Sequence, residues 1–160
     1  MSKNSIFVII GFITLLLSSC ITRPAPDLLD DPSPRQELPQ SEDITFSLAQ
    51  TTHSLPIDKV DLNITNTGTS YYTFGEFFYI EKVVEDTWYM LEIEDSNFND
   101  FSSFDNYGYR LAPGESREET LVLSNYAFTF DPGKYRIAKA FNNEATSETI
   151  WLSAEFEVVD

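Results

Sequence analysis

Basic residues, cysteine, histidine and glycine are all scarce in this chain. Ten Lys plus Arg stand against 26 Asp plus Glu, a formal charge of −16. This balance argues against nucleic acid as a partner, because displacing counterions from phosphates needs clustered cations. The same balance argues against electrostatic docking on anionic lipid. One cysteine rules out an internal disulfide and any multi-cysteine zinc or iron–sulfur site. The one histidine, His53, adjoins Ser54-Leu55-Pro56 with no nucleophile motif nearby, and reads as an exposed loop residue rather than a general base. Sustained helical periodicity, heptads and internal repeats are missing as well. No catalytic residues and no cofactor are expected.

What is present begins with an address. Lys3 precedes an apolar run from Ile6 to Leu17, the length of a signal-peptide core and short of the roughly 20 residues that span a bilayer. Next comes Leu17-Ser18-Ser19-Cys20, which resembles a bacterial lipobox. The resemblance implies cleavage before Cys20, diacylglycerol on its sulfur, and anchoring to the extracytoplasmic side of a cell membrane. Each buried acyl methylene adds about 0.8 kcal/mol of membrane affinity. Residues 1–19 are then a leader. Residues 20–42 carry five of the eight prolines, which withhold backbone donors and fix φ, so this stretch is expected to be an extended, mobile tether reaching roughly 60 Å.

From residue 43 to 160 the texture becomes short alternating runs separated by turn residues. Ile44, Phe46 and Leu48 alternate with polar neighbours, as do Val60, Leu62 and Ile64 before the turn Asn66-Thr67-Gly68-Thr69. Phe74 to Val84 reads as one long strand, followed by Thr87 to Ile93. Pro113-Gly114 and Pro132-Gly133 precede two further strands, and Ile150, Leu152, Ala154, Phe156 and Val158 share one face of the last. About seven strands of period two describe an all-β antiparallel sandwich.

Asp131-Pro132-Gly133-Lys134-Tyr135-Arg136-Ile137 resembles the immunoglobulin strand F signature, with Ile137 in the place of the cysteine. More widely, the chain resembles a family of bacterial immunoglobulin-like domains carried on lipoproteins of Gram-positive bacteria. The matching pieces are Leu62-Asn63-Ile64-Thr65-Asn66, Gly75, Tyr79-Ile80-Glu81-Lys82, Trp88-Tyr89, Leu111-Ala112-Pro113-Gly114-Glu115 and Pro132 to Lys139. It departs at Glu85-Asp86-Thr87, where a glycine is common, and in a long acidic, aromatic insertion from Glu92 to Tyr109. The resemblance implies a Greek-key sandwich that presents a noncatalytic surface to a protein or glycan. A weaker likeness to a bacterial proteinase-inhibitor sandwich implies the alternative, a loop entering a protease cleft.

Within the insertion, Phe98, Phe101, Phe104 and Tyr107 recur every third residue. That spacing lines rings along one side of a short helical turn, either as a binding stripe or as cover for the sandwich. Asp95-Ser96-Asn97-Phe98-Asn99-Asp100 offers alternating oxygens to a cation, but fails the EF-hand pattern at its glycine and its final glutamate. A solvated acidic loop is the simpler reading. Glu92 and Glu94 are two exposed acids of the kind this composition supplies anyway. Glu81 and Arg136 fall on neighbouring strands and are expected as a surface ion pair, with Lys82 and Lys139 contributing, at about 0–1 kcal/mol.

Overall fold

Alternation of apolar and polar side chains builds the strands. β4 (Lys59–Asn66) buries Val60, Leu62 and Ile64 and turns Asp61, Asn63 and Thr65 away. β11 (Thr149–Val159) does likewise with Leu152, Ala154, Phe156 and Val158. The computed structural model describes residues 25–93, 108–123 and 128–160, and these hold eleven strands and no α-helix. The remaining strands are β1 (Leu28–Pro32), β2 (Ile44–Leu48), β3 (Thr52–Ser54), β5 (Tyr72–Phe74), β6 (Tyr79–Val84), β7 (Thr87–Leu91), β8 (Tyr109–Leu111), β9 (Ser116–Val122) and β10 (Gly133–Asn143).

Two sheets result. The larger runs β1-β7-β6-β10-β11-β3, with β5 and β8 joined at the far end of β10; the smaller runs β2-β4-β9. β3 lies parallel to β11, and the other pairs are antiparallel. The order β7-β6-β10-β11 against β2-β4-β9 is that of strands C′, C, F and G against A, B and E of an immunoglobulin sandwich. Beyond the seven strands expected, β1, β3 and β8 are added and the Phe74–Val84 run is split. Thr73 faces Asn142 and Tyr79 faces Ala138, so six steps of chain oppose four of β10, and the surplus loops out between β5 and β6. Phe74 before the loop and Phe78 after it are both buried in the core.

One core cluster joins Val60, Leu62 and Leu121 to Ile80, Tyr135, Ile137 and Phe156; a second gathers Ile64, Tyr72, Phe74, Leu111 and Phe141. Ile137 is fully buried, so an aliphatic contact does stand where a disulfide half would be. The Tyr135 hydroxyl donates to Asp131 Oδ1 at 2.6 Å and lies 3.0 Å from the Asp131 carbonyl oxygen, which ties the corner before β10. Burial, with the Asp131 acceptor, raises the Tyr135 phenol well above its ordinary pKa.

Between β6 and β7 the chain turns at Glu85 and Asp86, with φ of 48° and 62°. A two-residue hairpin needs this handedness to match strand twist, so these residues carry the left-handed backbone that a glycine would take with less strain.

Candidate functional site

β10 places Arg136, Ala138 and Ala140 on the side of the larger sheet opposite the core, and β6 places Tyr79 and Glu81 beside them. Arg136 and Glu81 are register partners. The pair expected on the surface is buried, with Glu81 0% and Arg136 3% exposed. What covers it is the segment expected to be a mobile tether. β1 pairs with the edge of β7, and the chain then crosses the outer face as a strap through residues 33–36. Proline is compatible with this because β1 has one neighbour and needs no ladder on its other edge.

The strap is fastened by polar groups. Ser33 donates its hydroxyl to Glu81 Oε1 at 2.7 Å. Arg35 donates to the same oxygen from Nε at 3.1 Å and Nη2 at 2.9 Å. Its guanidinium lies 4.2 Å from the Tyr79 ring centre and 4.7 Å from that of Trp151. Arg136 Nε donates to Glu81 Oε2 at 2.6 Å. Its Nη2 donates to the carbonyl of Arg35, and its planar head sits 4.2 Å from the Trp88 ring centre. The Gln36 side-chain amide accepts from the Trp88 N–H at 3.0 Å and donates to the Trp88 carbonyl at 2.8 Å. A buried carboxylate is tolerable here because both its oxygens are satisfied by charged donors.

Beside this clasp lies a shallow apolar hollow of about 270 Å³, lined by Leu29, Phe77, Tyr79, Met90, Leu91, Glu92 and Ile93. Phe77 is 39% and Leu29 37% exposed, and the Phe77 ring meets Tyr79 edge-on at 4.8 Å. On the opposite flank a polar cleft of about 400 Å³ follows β9 past Glu76, Phe78 and Tyr109. Its ionisable groups pair with one another. Tyr109 donates to Glu76 at 2.8 Å, Arg117 lies over the Tyr109 ring at 3.5 Å, and Glu119 faces Arg117 at 3.6 Å and Lys139 at 3.2 Å.

The profile of a family described as Bacterial Ig-like domain matches residues 40–157. The chain belongs to the bacterial Ig-like domain family. Membership points to a noncatalytic extracellular module, and the match begins beyond the strap. A comparison of this Ig-like chain with curated protein sequences gives no match. Among solved structures, the periplasmic chaperone SfaE shares 9% identity at a TM-score of 0.41, over 72% of this chain and 55% of its own. The Pseudomonas fluorescens alkylpurine DNA glycosylase AlkC shares 10% at 0.36, over 74% and 31%. A β-glucosidase from Erythrobacter marinus shares 12% at 0.35, over 72% and 15%. This Ig-like chain therefore spans little more than half of the first and far less of the others.

The other expected positions fall as follows. Lys82 and Lys139 stand on the core side of the sheet, pairing with Asp131 and Glu119 rather than joining the Glu81–Arg136 ladder. His53 sits on β3, half-buried, its ring 5.8 Å from Phe156, and not in an exposed loop. Cys20, Phe98, Phe101, Phe104, Tyr107 and the Asp95–Asp100 stretch lie outside the described residues. Among the described residues no three His, Cys, Asp or Glu side chains converge as a metal ion would require. Sequence reasoning missed Arg35 and the strap. The signal was on β10, where Ala138 and Ala140 give the outer face no polar cover of its own.

Proposed function

We propose that this is a lipid-anchored envelope protein, moored through Cys20, whose Ig-like domain presents a noncatalytic surface to a protein or glycan partner. The lipobox-like Leu17-Ser18-Ser19-Cys20 supports the anchor. The observation that carries the binding surface is the hollow around Phe77, where exposed side chains of β1 and of the loop between β5 and β6 meet the end of β7. Rings of this kind stack on sugar faces or seat apolar side chains of a partner. Phe98, Phe101, Phe104 and Tyr107 are proposed as further binding residues.

Two measurements test the reading. Mass spectrometry of the protein purified from membranes should show a diacylated Cys20 as the first residue; an unmodified thiol refutes the anchor. Cross-linking on intact cells should capture a partner or glycan that Phe77→Ser loses while the thermal midpoint holds. Capture unchanged by Phe77→Ser, or none at all, refutes the surface.

A further inference from the structure

The strap is bound by chemistry unlike that of the core. From Leu29 to Pro32 β1 is exposed, and Leu28 packs against the core cluster. Its register on β7 is irregular, with Leu28 opposite Leu91 and Pro32 opposite Tyr89. Pro26 is buried, the Asp27 carbonyl accepts from the Glu92 N–H, and the Ser33 N–H donates to Trp88. The other fastening is the side-chain clasp of Ser33, Arg35 and Gln36 described above. Residues 37–43 link the clasp to β2 and contain no strand. Seven residues reach about 23 Å when extended.

Lifted away, the strap leaves a receptor of defined chemistry. The carboxylate of Glu81, the faces of Tyr79 and Trp151, the guanidinium of Arg136 and the open edge of β7 line one groove. Its occupant must bring an extended backbone, a hydroxyl, and a guanidinium two residues later. None of the contacts requires the occupant to belong to the same chain. We infer that this groove is a guanidinium-binding site with a second occupant, the Leu28–Gln36 strap of another copy, so that two molecules exchange straps and form a two-fold pair. Exchange repeats every contact of the closed form and leaves no polar group newly buried without a partner, which keeps its cost low. Arg35 meeting Glu81 also sets opposite charges together where two chains of net charge −16 would otherwise repel. Closed and exchanged forms compete through effective concentration, so the pair grows with the local density of chains.

The test co-expresses two full-length chains with different tags in bacterial cells, one carrying Leu28→Cys and the other Leu91→Cys. These positions face each other across β1 and β7. The expected result is a disulfide, mapped by mass spectrometry, joining residue 28 of one tagged chain to residue 91 of the other. Adding Arg35→Gln to the first chain should remove most of that link. The inference is overturned if the double variant Leu28→Cys/Leu91→Cys links within its own chain while no link forms between tags. A link between tags that Arg35→Gln leaves at full yield overturns the guanidinium site. Because the mapping reads residues 28 and 91 alone, the state of Cys20 does not enter.

Discussion

β10 carries two buried cations three residues apart, Arg136 toward the strap and Lys139 toward the core. Their environments differ sharply. Arg136 spreads its donors over the Glu81 carboxylate and strap carbonyls and stacks on Trp88. Lys139 has Glu119 Oε2 at 3.2 Å, near enough for an ion pair but misdirected for a hydrogen bond, and the Glu76 carbonyl at 3.4 Å. Burial lowers the Lys139 pKa although Glu119 and Glu76 work against it. The lesson is that burial alone does not make a charge structural. A planar fork that can satisfy a carboxylate and a backbone together organises a segment, whereas a point charge with two loosely placed acceptors is only accommodated.

The comparison can be broken most forcefully at Glu81. Glu81→Ala leaves two guanidinium groups facing each other without their acceptor, and urea denaturation should show a loss of about 3–5 kcal/mol. Arg136→Lys keeps the charge but removes the fork, and should cost about 1–3 kcal/mol. Hydrogen exchange should then quicken at the Ser33 amide, which donates to Trp88. A third arm asks how a well-bonded carboxylate on the core side behaves with pH. Burial raises the Asp131 pKa, but hydrogen bonds from Lys82 and Tyr135 outweigh it and hold the group below its ordinary 3.8. A depressed folded value means that its stabilisation is complete above the unfolded pKa and lost as pH falls through the lowered one. Asp131→Asn should therefore cost roughly 1 kcal/mol near neutrality and flatten the acid limb below about pH 4, followed by circular dichroism. The smallest effect belongs to Lys139→Met, expected within about 1 kcal/mol of the parent in either direction. A loss as large as that of Glu81→Ala would erase the distinction between the two cations.

The sandwich was legible wherever one face of a strand meets the core and the other meets water. Val60-Asp61-Leu62-Asn63-Ile64 and the alternation through β11 write their faces directly in the residue types. The corner before β10 was legible too, through the resemblance of Asp131 to Ile137 to the immunoglobulin strand F signature, a local motif that needs no knowledge of the rest. The strap was not, for a physical reason. Proline density normally signals a backbone with nothing to pair against, and its exception, an edge strand with a single neighbour, depends on which strand lies at the edge. That is a property of topology, not of the segment. Glu81 and Arg136 misled for the same reason. Read pairwise they look like a surface ladder, and their burial comes from Ser33 and Arg35, about fifty and a hundred residues away in sequence. The apolar hollow around Phe77 was hidden because its other walls, Leu29 and residues 90–93, come beside it only through the topology.

Because Pro26 is already buried against the domain, a chain moored at Cys20 has six residue steps of leash left, at most about 20 Å of slack. Under the proposed anchor, the strap shortens the expected 60 Å spacer to a third and keeps the module low over the headgroups. That maximum reach is about twice the ~10 Å Debye length at 0.1 M salt, so under the proposed anchor the leash is long enough to hold so acidic a body beyond the screened repulsion of anionic lipid.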